Sequence, residues 1–350
     1  SGNDNRFCGH YGWPCKTLEY ALTQSSSATN PYQIGIISEY KLNSEQPLGI
    51  NEETIKIQNS VVDAALVAPI NSIILIEEDG KFTISNGTLQ FIKITFSIDN
   101  KAAEGHVITG ETGCTGIIIT NCEINMTNDL LPILIGLVKL SSGTLTITNL
   151  IVKDVTISGE SIIKVNEKAG DVDIIGSTFE NISRSEGNGS VIEGYLGTSN
   201  GLITVAESNF TMCKVNTSEG LGGAIFLNIL SGGESKYDLS GSQYSECDAL
   251  YGKSLFINAY NLKSAVPLSS QTKIGAGSDE YEEANPYNLM GYDGTNTIAI
   301  PLYYVYTAVK NEIYHVNNAA KSYTVGSGND NRFCGHYGWP CKTLEYALTQ

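Results

Sequence analysis

The chain has 350 residues, a net charge of −16 and only three arginines, Arg6, Arg184 and Arg332. An acidic surface argues against nucleic acids and anionic membranes as partners. Scarce arginine also leaves few side chains suited to clamping phosphate groups. No apolar run is long enough to predict a membrane-spanning helix.

Residues 1–24 recur without a single change as residues 327–350, at an offset of 326 residues. The repeated sequence contains a Trp, two Cys and a His, so chance does not explain it. We interpret the chain as one unit of a serially repeated polypeptide, followed by the opening of the next unit. Copies of the same unit, placed end to end, are therefore the expected partners.

The first segment, residues 1–30, is predicted to be an N-terminal cap or joint. Cys8 and Cys15 bracket a run rich in turn residues, which favours a disulfide across the turn. A metal site using His10 is the alternative. The second copy repeats the cysteine pair as Cys334 and Cys341.

A short helix is predicted directly after this turn. Pro14 precedes it, and Leu18, Ala21 and Leu22 are spaced to share one face. No long helix is predicted in the rest of the unit.

Residues 31–280 contain short runs rich in Ile, Val, Thr and aromatic residues, separated by Gly, Asn and Ser, which predicts strands and turns. Two columns of apolar residues advance in steps of 27 to 34 residues. The first column is Ile119, Ile147, Ile174, Val205 and Leu239, and the second is Ile124, Ile151, Phe179, Phe210 and Tyr244. Equal steps in two columns predict coils of about 30 residues, stacked about 4.8 Å apart as a parallel β-helix.

The remaining cysteines fall within this region. Cys213 and Cys247 take equivalent places on successive coils, within reach of a disulfide, although a free buried pair would fit the column equally well. Cys114 and Cys122 flank one strand, which would hold them about 20 Å apart. We therefore do not expect these two to pair with each other, and their partners stay open.

Residues 281–326 are rich in Tyr and are predicted to form a C-terminal cap or connector. Residues 327–350 then start the next unit.

Two segments resemble a known family. The sequence PCKTLEYAL at 14–22 is similar to the opening of pectin-lyase-like β-helix domains, and residues 208–226 resemble the repeats of polymorphic outer-membrane and adhesin-type β-helices. The resemblance implies an all-β, right-handed parallel β-helix (a solenoid) with a short N-terminal capping helix. It does not imply an activity, because the superfamily includes lyases, hydrolases, tailspikes and non-catalytic surface proteins.

The acidic residues do not form the paired carboxylates that polysaccharide cleavage needs. They cluster at residues 77–79 and 279–283, without a matching Arg or His. We therefore predict that the chain is not an enzyme and has no catalytic or cofactor-binding residues. No metal site is expected, although the loop at Asp293 is an alternative position for Ca²⁺.

The sequence contains six N-x-S/T acceptor motifs for N-linked glycans. Their asparagines are Asn86, Asn125, Asn181, Asn188, Asn209 and Asn216. Together with the cysteines they predict an extracellular or cell-surface protein carrying N-linked glycans.

The resulting hypothesis is a structural repeat of an extracellular filament or cell-surface appendage. Units would stack through an inter-unit joint that uses Trp13, Trp339, Leu344, Tyr346 and Leu348. A glycan- or host-binding adhesin and a polysaccharide lyase or hydrolase are the alternatives.

Overall fold

The computed structural model describes residues 2–9, 13–23, 31–49, 54–60, 71–128, 131–216, 218–266, 274, 285–295, 297–305, 307–318 and 328–350. Over these residues the chain is an all-β parallel solenoid, as predicted, with one strand of each coil in each of three sheets.

The strands are numbered in chain order. Sheet 1 contains β1 (Tyr32–Ile36), β4 (Thr54–Asn59), β7 (Gly87–Ile92), β10 (Cys114–Thr120), β13 (Thr144–Thr148), β16 (Val172–Ile175), β19 (Ile203–Ala206) and β23 (Tyr237–Asp238). Sheet 2 contains β2 (Glu39–Leu42), β5 (Ser72–Ile76), β8 (Ile94–Ile98), β11 (Glu123–Met126), β14 (Ile151–Ile157), β17 (Thr178–Arg184), β20 (Ser208–Thr211) and β24 (Ser242–Ser245), with β21 (Lys214–Val215) also paired to β17. Sheet 3 contains β3 (Glu45–Leu48), β6 (Lys81–Ile84), β9 (Gly105–Gly110), β12 (Ile135–Leu140), β15 (Ile163–Val165), β18 (Ile192–Leu196), β22 (Ile225–Ile229), β25 (Leu255–Ala259), β26 (Leu289–Asp293) and the antiparallel β27 (Ile300–Pro301).

The helices are short. They are α1 (Leu18–Thr23), α2 (Leu262–Ala265) and α3 (Leu344–Ala347), with 3₁₀ turns at Leu302–Val305 and Lys310–Glu312.

The core fills the inside of the coils, because alternate residues of each strand point inward. The first predicted column is confirmed in register, with Ile119 opposite Ile147, Ile147 opposite Ile174, and Ile174 opposite Val205. These four side chains are at most 1 % exposed. Identical or similar residues therefore stack along the solenoid as the spacing predicted.

The second column is wrong at one position. Ile124 and Phe179 are in register with Val152, not with Ile151. Val152 is fully buried, whereas Ile151 is 40 % exposed on the outer face. Two neighbouring β-branched residues fit either face of a strand equally well, so the spacing alone did not decide between them.

The predicted stacking of Cys213 and Cys247 is confirmed, but the disulfide between them is not present. Both thiols are buried, and neither belongs to a disulfide. The Cys213 Sγ lies 3.5 Å from the carbonyl oxygen of Phe179, and the Cys247 Sγ lies 3.4 Å from that of Phe210. Burial raises the pKa of Cys213 well above its usual value, which disfavours the thiolate that disulfide formation requires. Cys114 and Cys122 belong to no disulfide either.

The solenoid extends further than the sequence indicated. Residues 289–293, which the sequence places in the connector, form β26 and pair in parallel with β25. The tyrosines of the run YNLMGYD favour a connector in the sequence analysis. Its Leu289 is nevertheless buried in the main core, and Met290 is buried in a second cluster with Phe226, Phe256 and Ala299.

Candidate interface between repeated units

Over the residues that the structure describes in both, the two copies of the duplicated segment have the same internal hydrogen bonds. Each has a disulfide, Cys8–Cys15 or Cys334–Cys341, with 4.8 Å between the Cα atoms. These two predicted disulfides are confirmed. We call residues 2–15 and 328–341 the clasp of each copy, and residues 16–23 and 342–350 its helix half.

One carboxylate connects the two halves within each copy. Asp4 accepts hydrogen bonds from the backbone N–H of Lys16 and Thr17, at 2.8 and 2.9 Å, and from the Thr17 hydroxyl at 3.0 Å. Asp330 makes the equivalent three bonds at 2.8, 2.9 and 3.0 Å. The segment therefore folds alike in two different surroundings.

The helix half of the first copy covers the first coil. Leu18 and Leu22 are 2 % and 7 % exposed. The Leu18 N–H donates to the Tyr40 hydroxyl at 3.1 Å, and the Tyr32 hydroxyl donates to the Ala21 carbonyl at 2.5 Å. These contacts confirm the short helix and place it against the start of the solenoid.

The clasp of the first copy is open to solvent. Phe7 is 65 % exposed and Trp13 is 52 % exposed. Large aromatic side chains at this exposure form an apolar surface with no covering element among the residues that the structure describes.

The clasp of the second copy is buried against the other end of the solenoid. Phe333, Cys334, Trp339 and Cys341 are between 0 % and 8 % exposed and belong to the main core cluster. The Trp339 ring stacks on Tyr304, with 6.3 Å between centroids and 16° between planes. His336 packs against the same tyrosine at 4.8 Å.

Backbone hydrogen bonds join this clasp to the connector. Residues 315–317 run beside the clasp, with Val316 bridged in parallel to Cys341. The N–H of His315 donates to Gly335 O at 2.8 Å, and the N–H of Cys341 donates to His315 O at 2.9 Å. The connector and the next copy thus share a short strand-like contact.

A charged contact fixes the same interface at its edge. The Arg332 guanidinium pairs with the Asp293 carboxylate at the end of β26, with Nε and Oδ2 2.5 Å apart. It also donates to the Asn261 side chain at 3.0 Å. Asp293, the alternative calcium position in the sequence, therefore has Arg332 of the second copy as its partner.

The helix half of the second copy has the opposite environment to that of the first. Leu344 is 65 % exposed and Leu348 is 79 % exposed. Tyr346 is half-buried and packs on the edge of the core. Each copy thus has one buried half and one exposed half, and the buried half differs between the two.

Of the predicted joint residues, the structure places Trp339 in the interface and leaves Trp13, Leu344 and Leu348 exposed. Sequence analysis missed Phe333, Arg332 and Tyr304. The tyrosine-rich composition of the connector was the available signal for an aromatic contact. His10 lies outside the described residues, but its counterpart His336 contacts an aromatic ring.

A cleft of about 440 Å³ lies at the corner where the chain leaves sheet 3. It is lined by Thr112, Ser141, Lys164, Asn166, Glu167, Lys168 and Tyr195. Glu167 is the one carboxylate among these lining residues, whereas glycoside hydrolysis uses a pair. Within the described part of the chain, no His, Cys, Asp and Glu side chains are grouped for a metal ion, and no helix has the length and apolar character to cross a bilayer.

Comparisons with models of protein families, with curated proteins and with solved structures gave no match. The resemblance to pectin-lyase-like and adhesin-type β-helices therefore stays a prediction, and the parallel solenoid is what the structure establishes.

Proposed function

We propose that this chain is a structural repeat of an extracellular filament or cell-surface appendage, in which solenoid units stack end to end through the duplicated segment. The observation that carries the proposal is the reciprocal burial of the two copies. Trp13 and Phe7 are exposed where Trp339 and Phe333 are buried, and Leu344 is exposed where Leu18 is buried.

In a chain of repeated units, every internal copy would have both halves buried. Its clasp would pack on the connector of the preceding unit, as residues 328–341 do here. Its helix half would pack on the first coil of the following unit, as α1 does here. Burial of a large apolar side chain stabilises a folded protein by about 1.5–3 kcal/mol. One joint would bury four such side chains, those of Phe333, Trp339, Leu344 and Leu348, and would therefore add several kcal/mol to the stability.

Such a joint suits a mechanical role. A solenoid ends in unpaired strand edges that otherwise invite uncontrolled pairing. Placing a folded, disulfide-linked segment between successive solenoids covers both edges and orients the next unit. We also propose that the coil is right-handed and that the chain belongs to the pectin-lyase-like superfamily, as the sequence resemblance implies.

The extracellular setting is also part of the proposal. Two disulfides are compatible with an oxidising compartment. The six acceptor motifs for N-linked glycans agree with it.

The test is a two-unit chain, residues 1–326 followed by residues 1–350, studied by small-angle X-ray scattering. We expect one straight rod whose cross-section equals that of a single unit. Its maximum dimension should exceed that of a single unit by at least roughly 38 Å, the span of eight strand spacings. Scattering from two lobes that move independently would contradict the proposal.

The matched control makes the same substitution at equivalent positions of two copies of the segment. Trp339→Ala in the two-unit chain alters the internal joint, whereas Trp13→Ala alters the free end. Only the first variant should bend or loosen the rod, because only its tryptophan is covered on the preceding unit.

A further inference from the structure

The glycan acceptor motifs are not spread evenly around the solenoid. Four of the six asparagines are exposed, and all four lie on sheet 2 or directly beside it. They are Asn125 in β11, Asn181 in β17, Asn209 in β20 and Asn216 directly after β21. Sheet 2 therefore carries every exposed acceptor asparagine.

Asn125 and Asn209 have the most open positions. Asn125 alternates with the buried Ile124, and Asn209 lies between the buried Ser208 and Phe210, so both side chains point outward from the sheet. They lie three strands apart in sheet 2, which is roughly 14 Å along the axis. A glycan on either residue would extend into solvent without displacing a core side chain.

Asn181 and Asn216 lie on the same side and use their amides in local contacts. The Asn181 Nδ2 donates to the Asp154 carboxylate at 2.6 Å, and the Asn216 Nδ2 donates to the Ser183 hydroxyl. A glycosylated amide keeps one N–H, so each residue could retain its hydrogen bond.

Asn86 and Asn188 differ in place and in environment. Both are half-buried and lie at corners of the coil, Asn86 before β7 and Asn188 before β18. The Asn188 Oδ1 accepts the N–H of Leu221 from the next coil at 3.0 Å. The Asn86 Oδ1 accepts the N–H of Gly87 at 2.9 Å. In both, the amide is part of a turn.

We propose that sheet 2 is the glycan-bearing side of the rod, with Asn125, Asn181, Asn209 and Asn216 as acceptors. The inference rests on the extracellular setting of the proposed function, not on end-to-end stacking. In the transfer step, the Asn Nδ2 bonds to the anomeric carbon of an oligosaccharide carried on a lipid diphosphate. The bond from that carbon to the diphosphate oxygen breaks, the lipid diphosphate leaves, and the amide loses one proton to the transferase.

A one-sided glycan layer determines how rods meet side by side. Bulky hydrated sugars on sheet 2 keep neighbouring rods away from that face. Sheets 1 and 3 are then the faces open to a second copy of the rod.

The test is glycopeptide mapping of the chain secreted from a eukaryotic cell. Enzymatic release of N-glycans in ¹⁸O-labelled water converts each occupied Asn to labelled Asp, which mass spectrometry locates. We expect label at the four sheet 2 positions, strongest at Asn125 and Asn209, and none at Asn86 or Asn188. Predominant occupancy at Asn86 or Asn188, or an unmodified sheet 2, would overturn the proposal.

Two variants give a second measurement by gel mobility. The quadruple Asn→Gln variant at the sheet 2 positions should lose the shift that glycosidase removes, whereas Asn86→Gln with Asn188→Gln should keep it. If the quadruple variant is not secreted, the map of the unsubstituted chain decides. The scattering of the two-unit chain, made without glycans, tests the rod separately.

Discussion

Trp13 and Trp339 have identical neighbours in sequence, yet they are 52 % and 1 % exposed. Nothing in the segment itself distinguishes them, because the difference comes from what lies against each copy. The pair therefore provides a test in which the substitution and its local sequence are the same.

We expect Trp339→Ala to lower the free energy of unfolding by about 3–5 kcal/mol, as truncation of a buried aromatic does. Trp13→Ala should change it by no more than about 0.5 kcal/mol, as is usual at exposed sites. Urea denaturation followed by far-UV circular dichroism measures both. Equal losses would mean that the clasp of the second copy is not packed on the solenoid.

Fluorescence supplies the control, because the chain has only these two tryptophans. In Trp13→Ala the remaining Trp339 should emit at short wavelength and resist quenching by acrylamide. In Trp339→Ala the remaining Trp13 should be quenched readily.

His106 in β9 gives a prediction for pH. Burial lowers its pKa to about 3, and the positive charges of Lys164, Lys139 and Arg184 act in the same direction. The residue opposite it in β12 is Gly136, whose missing side chain leaves room for the imidazole ring.

Because this pKa lies below the unfolded value of about 6.5, the unfolded state binds the proton more readily. Above pH 6.5 this histidine does not lower the free energy of unfolding. As the pH falls from 6.5 towards 3, the free energy of unfolding decreases by a few kcal/mol. His106→Gln should flatten the dependence of unfolding free energy on pH in this window, whereas His315→Gln at a half-exposed position should not. A wild-type slope that survives in His106→Gln would contradict the assignment.

At the scale of single elements, the two disulfides lie in identical sequences but differ in their exposure to solvent. Cys334 and Cys341 are 3 % and 0 % exposed, whereas Cys8 and Cys15 are half-buried. Reduction requires that an attacking thiolate reach a sulfur atom. The clasp of the second copy should therefore be protected.

Variants that retain only one clasp disulfide are needed for this test. The two copies give identical peptides, so their disulfides could not be distinguished in the same chain. Cys8→Ser with Cys15→Ser retains the buried disulfide, and Cys334→Ser with Cys341→Ser retains the open one. Dithiothreitol should reduce the open disulfide several-fold faster at a fixed pH, as measured by thiol labelling of the native chain. Similar rates would place both clasps in the same environment.

The strands were the most predictable elements. The spacing along each apolar column predicted the register of sheets 1 and 2. A residue that stacks on its counterpart in the next coil must recur once per coil. The exception at Ile151 arose where adjacent apolar residues offered both faces. The lack of a disulfide between Cys213 and Cys247 was not predictable from their spacing, which fits a disulfide and two stacked thiols equally well.

On the scale of the whole molecule, the duplicated sequence predicts a joint between units but not which half of each copy it buries. Two identical segments cannot indicate which half packs on which neighbour. The end of the solenoid was also missed, because the tyrosines of the last coil resembled those of the connector. Among the described residues, sheet 3 has nine parallel strands that span eight intervals, roughly 38 Å.

Removal of residues 327–350 tests the joint as a whole. The chain 1–326 should expose Tyr304 and the end of β26, and should therefore unfold at a lower temperature and bind an apolar dye such as ANS. Leu344→Ala with Leu348→Ala in the full chain removes only exposed side chains and should leave the melting temperature nearly unchanged. A truncated chain as stable as the full one would contradict the role of the segment as a cover.

The reciprocal burial of the two copies also gives any such rod a direction. One terminus presents the aromatic surface of Phe7 and Trp13, and the other presents the aliphatic surface of Leu344 and Leu348. The two tips are therefore chemically different surfaces. A partner that recognises one of these surfaces would not recognise the other.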